Sequence, residues 1–324
     1  MIKAIKYIAL LILLLLGGAI LFNYHPDISI DRLKEKYTYP DSRFIQVEGM
    51  DVHYRITGQG PALVLLHGTG ASLHTWEIWT AELQNDFTIV SLDLPAFGLT
   101  GPFPNRDYQI RHYTEFLDAF TSAIELDSFA LGGNSLGGLI AWRFALDYPQ
   151  KVQQLVLLDA AGIPRQQEGE SPLAFRLARK PIVAAIMQKV TPKALFKKSL
   201  YEVYGDPEKV TPMLLQRYFE LFRRPGNRQA YVDRINQEDA ITPPDRLKEI
   251  EQPTLILWGE TDAWIPVANA TAFQDRLPND TLIIYPEVGH LPMEEIPVQT
   301  AEDVRNFLKQ QQKVEAQSTI TAPY

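Results

Sequence analysis

Apolar and polar positions follow three different rhythms along this chain. From Tyr7 to Phe22 the residues are almost all apolar, with no polar face at either helical or strand spacing. From Phe44 onward, short runs carry strand character. Phe44-Ile45-Gln46-Val47 and Val52-His53-Tyr54-Arg55-Ile56 alternate, and Glu48-Gly49-Met50-Asp51 between them reads as a turn, so together they predict an antiparallel hairpin. Residues 62–66, 88–92, 155–158, 254–258 and 281–285 are largely apolar without alternation, as strands buried on both faces are. Ser128-Phe129-Ala130-Leu131 is a shorter run of strand-like character. Between these runs, residues 72–84, 107–125, 136–148, 266–277 and 298–311 carry apolar positions at helical spacing. Strand and helix in alternation predict an α/β fold, a mostly parallel central sheet with helices on both faces.

One region breaks the alternation. From about 163 to 240 there is no buried-strand run, and residues 173–187 and 213–222 have helical patterns. Prolines at 164, 172, 181, 192, 207, 212 and 225 cut it into short pieces. This predicts a helical cap inserted over the sheet. The core is then 44–162 together with 241–311, residues 25–43 form a charged linker, and 312–324 a polar tail.

The leading apolar run has its own meaning. Lys3 and Lys6 precede it, and it would extend roughly 24 Å as a helix, slightly short of a bilayer core unless its flanks contribute. A cleaved signal peptide competes with a retained signal anchor. Gly17 and Ala19 are small enough for a cleavage site, but Ile20-Leu21-Phe22 continues the apolar run beyond them, which favours an anchor over residues 1–24. The lysines on the short leading side would stay cytoplasmic. The expectation is therefore a membrane-anchored protein with its catalytic domain on the periplasmic or extracytoplasmic side; secretion after cleavage is the alternative.

Composition mainly excludes. A net charge of −8 argues against nucleic acid as a partner. The absence of cysteine removes disulfides, thiol catalysis and cysteine metal sites. The six histidines show no metal-ligand spacing.

The chemistry concentrates at Gly133-Asn134-Ser135-Leu136-Gly137. The pattern G-x-S-x-G between a strand and a helix is that of a nucleophile elbow, in which glycines permit a turn too tight for a Cβ. A serine hydroxyl is a weak nucleophile, so Ser135 needs a base, and the base an orienting acid. In this architecture the chain order is serine, acid, histidine. His290, in the turn after the strand at 281–285, is the candidate base. Asp262, in Trp258-Gly259-Glu260-Thr261-Asp262, is the preferred acid over its rival Asp159, which follows the strand at 155–158. His53, His74 and His112 read as structural. The oxyanion of acyl transfer requires fixed donors. Leu136 N–H supplies one, and Thr69 N–H, flanked by Gly68 and Gly70, the other. His67 reads as a hydrogen-bonding partner of that loop. Gly68, Trp76, Asn134 and Trp264 are candidate pocket residues, with core packing as the competing reading. No cofactor and no metal are expected.

With these residues in view, the chain resembles the α/β-hydrolase superfamily over roughly residues 44–311. His67-Gly68-Thr69-Gly70-Ala71-Ser72-Leu73-His74-Thr75-Trp76, Asp93-Leu94-Pro95-Ala96-Phe97-Gly98-Leu99-Thr100-Gly101-Pro102 and Gly289-His290-Leu291-Pro292-Met293-Glu294-Glu295 are similar to the bacterial family V lipases and esterases. That resemblance implies Ser135, Asp262 and His290 as a triad and a helical cap over an acyl pocket. Relatives that hydrolyse carbon–carbon bonds of vinylogous keto-acids are also similar, but they carry a longer glycine-rich oxyanion loop and a tryptophan after the histidine, where this chain has Thr69 and Leu291. Dehalogenase and epoxide-hydrolase relatives use an aspartate nucleophile, which Ser135 excludes. The expected function is hydrolysis of small-molecule or lipid carboxylic esters by an acyl-enzyme route. A C–C hydrolase and a non-catalytic binding protein on the same fold are the alternatives.

Overall fold

The structure is a computed structural model and describes residues 6–7, 17–18, 22–166, 171–237 and 243–321, without the side chains beyond 311. Its sheet has strands β1 Ser42–Val47, β2 Met50–Gly58, β3 Ala62–Leu66, β4 Thr88–Leu92, β5 Phe129–Asn134, β6 Val152–Leu158, β7 Thr254–Gly259 and β8 Asp280–Tyr285. Their lateral order is β1-β2-β4-β3-β5-β6-β7-β8. β1 and β2 form the expected hairpin, β2 runs antiparallel to β4, and the remaining pairs are parallel. This is an α/β-hydrolase fold, with helices on both sides of a mostly parallel sheet.

The unbroken apolar runs follow from burial on two faces. In β3, Leu63 and Leu65 pack on one side with Trp76, Trp79 and Phe307, while Val64 and Leu66 pack on the other with Phe116, Ile140 and Trp142. Successive residues of a strand point to opposite faces, so both sets must be apolar. β8 departs from the expectation. As an edge strand it leaves Ile284 41% exposed, so its apolar run does not reflect burial on both faces.

After β3 the chain turns to β4 on one side, and after β4 it crosses to β5 on the other. The loops following β3 and β5 therefore part at a crevice on the carboxyl edge, where open α/β sheets bind ligands. Between β6 and β7 the chain leaves the sheet for helices Leu173–Ala178, Pro181–Met187, Lys193–Glu202, Pro212–Phe222 and Asn227–Asn236. Pro181 and Pro212 take the first helical position, where a missing N–H costs nothing.

Residues 25–43, expected as a linker, include a helix, Ile30–Tyr37. Its Leu33 and Tyr37 pack against Leu99 and Leu221, and Lys36 pairs with Glu220 at 2.7 Å. Ahead of it, Tyr24 bridges to Val190. The buried Arg228 donates to the His25 carbonyl and to Asp27, and Arg223 donates to the Pro26 carbonyl. This stretch is a strap bound to the excursion, held by partners nearly two hundred residues away. The expected membrane anchor and the extracytoplasmic location built on it do not hold either. Among the described residues no helix is long and apolar enough to cross a membrane, and by Tyr24 the chain is already bound to the protein itself. Residues 1–5, 8–16 and 19–21 of that segment lie outside the described residues. At the other end, helix Pro297–Thr321 continues into the stretch expected as a tail; residues 322–324 lie outside the described residues.

Candidate active site

Ser135 joins β5 to helix Leu136–Asp147 at φ 54° and ψ −114°, a conformation costly for a residue with a Cβ. The flanking glycines make this turn possible. A Cβ on Gly133 would stand 2.3 Å from the Gly137 carbonyl, and one on Gly137 would stand 2.2 Å from the Leu66 oxygen. The turn is pinned by Ser135 N–H donating to Leu158 O, and by Leu139 and Ala161 N–H both donating to Ser135 O.

Sheet register brings the other groups alongside. Leu66 pairs with Gly133, so Gly68 and Thr69 emerge beside the elbow. Asn134 pairs with Leu158, and Leu158 with Leu257, which aligns Ser135, Asp159 and the turn after β7 along one edge. In that turn, Asp262 Oδ1 accepts the Trp264 and Ile265 N–H groups at 2.7 and 2.9 Å. Its Oδ2 meets His290 Nδ1 at 2.6 Å, with both side chains buried. A carboxylate on Nδ1 sets the neutral imidazole with its proton there and leaves Nε2 as the acceptor. His290 Nε2 is buried with no hydrogen-bond partner among the described residues. Trp264 lies over the imidazole, ring centroids 5.7 Å apart.

His290 is tied at both ends of its backbone. Its carbonyl accepts from Asn134 Nδ2 at 3.0 Å, and its N–H donates to Val203 O at 2.8 Å, inside the helical excursion. Glu295 completes the tie: its carboxylate takes Gly289 N–H on the histidine loop together with Gly205 and Asp206 N–H of the excursion. Burial pushes the Glu295 carboxyl up, against the pull of these donors. Glu294 is met by the hydroxyls of Thr75, Tyr204 and Tyr218. Sequence reading gave neither glutamate a role. The available signal was two acids opening a helical turn behind Pro292, beside the candidate base.

The β3–β4 side is organised by Asp93, fully buried. It accepts from Leu73 N–H, Leu99 N–H and His53 Nδ1 at 2.8, 2.7 and 2.8 Å. Burial alone would raise its carboxyl, but the facing His53, with His67 and His74 beyond it, brings it down to about 2. His67 accepts the Leu94 N–H on Nε2 and so donates from Nδ1 to Gly68 O, holding the Thr69 loop. Burial lowers the His67 and His74 imidazoles, the latter to about 4.

Two chambers meet at Thr69, Ser135 and Trp264. The first also contains His290, Asn134 and Gly68 and runs under the excursion along Met187, Val190, Leu195, Phe196 and Phe222. Away from Ser135 and His290 its lining is mostly apolar. The second contains Leu136, Phe175 and Ile265 with Arg165, Arg179 and Arg234. Trp76 lines neither. It faces into the core with its ring 5.0 Å from Trp79, because the turn Leu73–Trp76 packs inward on the sheet. Asp159, Asp262 and His290 bring ligating atoms within 4.8 Å of one another. His290 and two backbone N–H groups already engage three of the acceptor positions of Asp262, so the cluster is organised as a hydrogen-bond network.

Comparison with known proteins agrees with this architecture. The family model described as the alpha/beta hydrolase fold matches residues 61–297. The chain is 27% identical over 257 residues to a 2-hydroxy-6-oxo-2,4-heptadienoate hydrolase of Pseudomonas putida, covering 76% of this chain and 89% of that one. Among solved structures it is similar to a membrane phospholipase A described as a bacterial virulence factor, at TM-score 0.72 and 26% identity, over 96% of this chain and 99% of that one. A putative lipase from Acinetobacter baumannii matches at TM-score 0.74 and 26% identity, over 89% and 98%. With the family model spanning most of its length, the chain belongs to the α/β-hydrolase fold family.

Proposed function

We propose that this chain is a serine hydrolase that cleaves carboxylic esters of small molecules or lipids. Ser135 Oγ attacks the ester carbonyl while His290 Nε2 takes its proton, and Asp262 holds the imidazolium that forms. The tetrahedral oxyanion is met by the N–H groups of Thr69 and Leu136. As the first residue of its helix, Leu136 has an N–H without an intrahelical acceptor. His290 then returns the proton to the departing alcohol, an acyl-enzyme remains, and water releases the acid by the same steps. The largely apolar first chamber, roofed by the helices between Leu173 and Asn236 as a cap, suits the acyl chain, and Gly68, Asn134 and Trp264 border the reacting carbonyl. The observation that carries the reading is the buried pair Asp262–His290 at 2.6 Å, with the second imidazole nitrogen unpartnered in the chamber that Ser135 lines.

A panel of p-nitrophenyl esters of rising chain length tests this. Wild type should turn over at least one of them about 10⁴-fold faster than Ser135→Ala. No turnover above that variant would sink the esterase reading. A second reading, hydrolysis of a carbon–carbon bond in a vinylogous keto-acid, draws support from Arg165, Arg179 and Arg234 in the second chamber. These suit a substrate carboxylate. Thr69 and Leu291 stand against it. A keto-acid of that class turned over faster than every ester would install it instead.

A further inference from the structure

Asp159 directly follows β6 and is fully buried. Its Oδ1 accepts the Gly259 N–H at 2.9 Å, while its Oδ2, also buried, has no hydrogen-bond partner among the described residues. A buried carboxylate oxygen without a donor is costly. Asp262, in the same 4.8 Å cluster, is saturated with donors on Oδ1 and carries His290 on Oδ2. Two ionised carboxyls so close in a buried site would repel strongly. A single proton placed between them removes the repulsion and gives the orphaned oxygen a bond. Burial, and after it the charge of Asp262, push the Asp159 carboxyl well above the ordinary carboxylate range. The other ionisable groups facing it are His290, Glu295 and Tyr285.

We propose that Asp159 is a positioning residue, a neutral carboxylic acid whose Oδ2–H donates to the Asp262 carboxylate and holds that carboxylate against His290. The assignment rests on reading His290 as base and Asp262 as its orienting acid. It keeps a single negative charge opposite the imidazolium. A second one would hold the proton on His290 too tightly for it to act as a base near neutral pH. The backbone at Asp159, φ 43°, is one that aspartate and asparagine tolerate better than other residues with a Cβ.

The test follows His290 by NMR through a pH titration in histidine-labelled protein, assigned with His290→Gln, and measures kcat and KM alongside. Asp159→Asn can still accept from Gly259 and donate to Asp262. It should keep the His290 midpoint within about 0.3 pH units and kcat within about threefold. Asp159→Ala loses the donor. It should lower kcat by about 10- to 100-fold with KM nearly unchanged, and raise the His290 midpoint. A midpoint falling by a unit or more in Asp159→Asn would mean the native residue is ionised, and would overturn the proposal. So would a folded Asp159→Ala with unchanged kcat and midpoint. The titration needs no substrate, so its result is separate from the fate of the esterase reading.

Discussion

At the scale of single residues, the elbow holds strain that can be measured. Ser135 has positive φ, which glycine adopts freely and alanine does not. Ser135→Gly and Ser135→Ala should both be inactive, yet the glycine variant should be the more stable of the two by about 1 kcal/mol in urea unfolding. Equal stability would show that the turn is unstrained. The elbow was legible from sequence because its cause is local: five consecutive residues contain both the strained position and the glycines that permit it. The choice between Asp159 and Asp262 was less local. Both follow parallel strands at the same sheet edge, and what separates them is the turn that aims Trp264 and Ile265 N–H at one carboxylate. The part of Asp159 in the network could not be read from spacing at all, since it depends on an oxygen left without a partner.

Among elements, Asp93 clamps the end of β4 to the turn at 73–76, to the loop at Leu99 and to β2 through His53. Its carboxyl is held below the unfolded value, so its contribution to stability is present above that value and is lost as pH falls through about 2. Asp93→Asn should lower stability near neutral pH by about 2–4 kcal/mol, and the gap to wild type should narrow between about pH 4 and pH 2. A gap independent of pH in denaturant titrations would contradict this. The sheet strands were legible because most are buried on both faces, a demand that writes itself into every position. The strap at 24–37 was not. Its polar residues read as a spacer, and the Arg223, Glu220 and Arg228 groups that bind it are remote in sequence.

Across the whole molecule, the net charge of −8 conceals a division. Between 173 and 198 every charged residue is a cation, from Arg176, Arg179 and Lys180 through Lys189 to Lys193, Lys197 and Lys198, and all are exposed. The sum over the chain could not show this, because the placement of those helices over the crevice is a tertiary fact. Such a field should gather anionic substrates. For a p-nitrophenyl ester whose acyl chain ends in a carboxylate, kcat/KM should fall about 3- to 10-fold between 50 mM and 500 mM salt, while a neutral ester of equal length stays nearly constant. Equal salt responses would mean the cationic surface does not reach the reaction. The backbone ties around His290 bear on how this molecule could be recombined with its relatives. Residues 203–206 and 289–295 hold one another through Glu295 and the Val203 carbonyl. A chimera that imports foreign helices between β6 and β7 without the matching loop at 289–295 breaks that joint in the support of His290. Those helices and that loop are joined as one unit, and substrate preference should transplant only when both travel together.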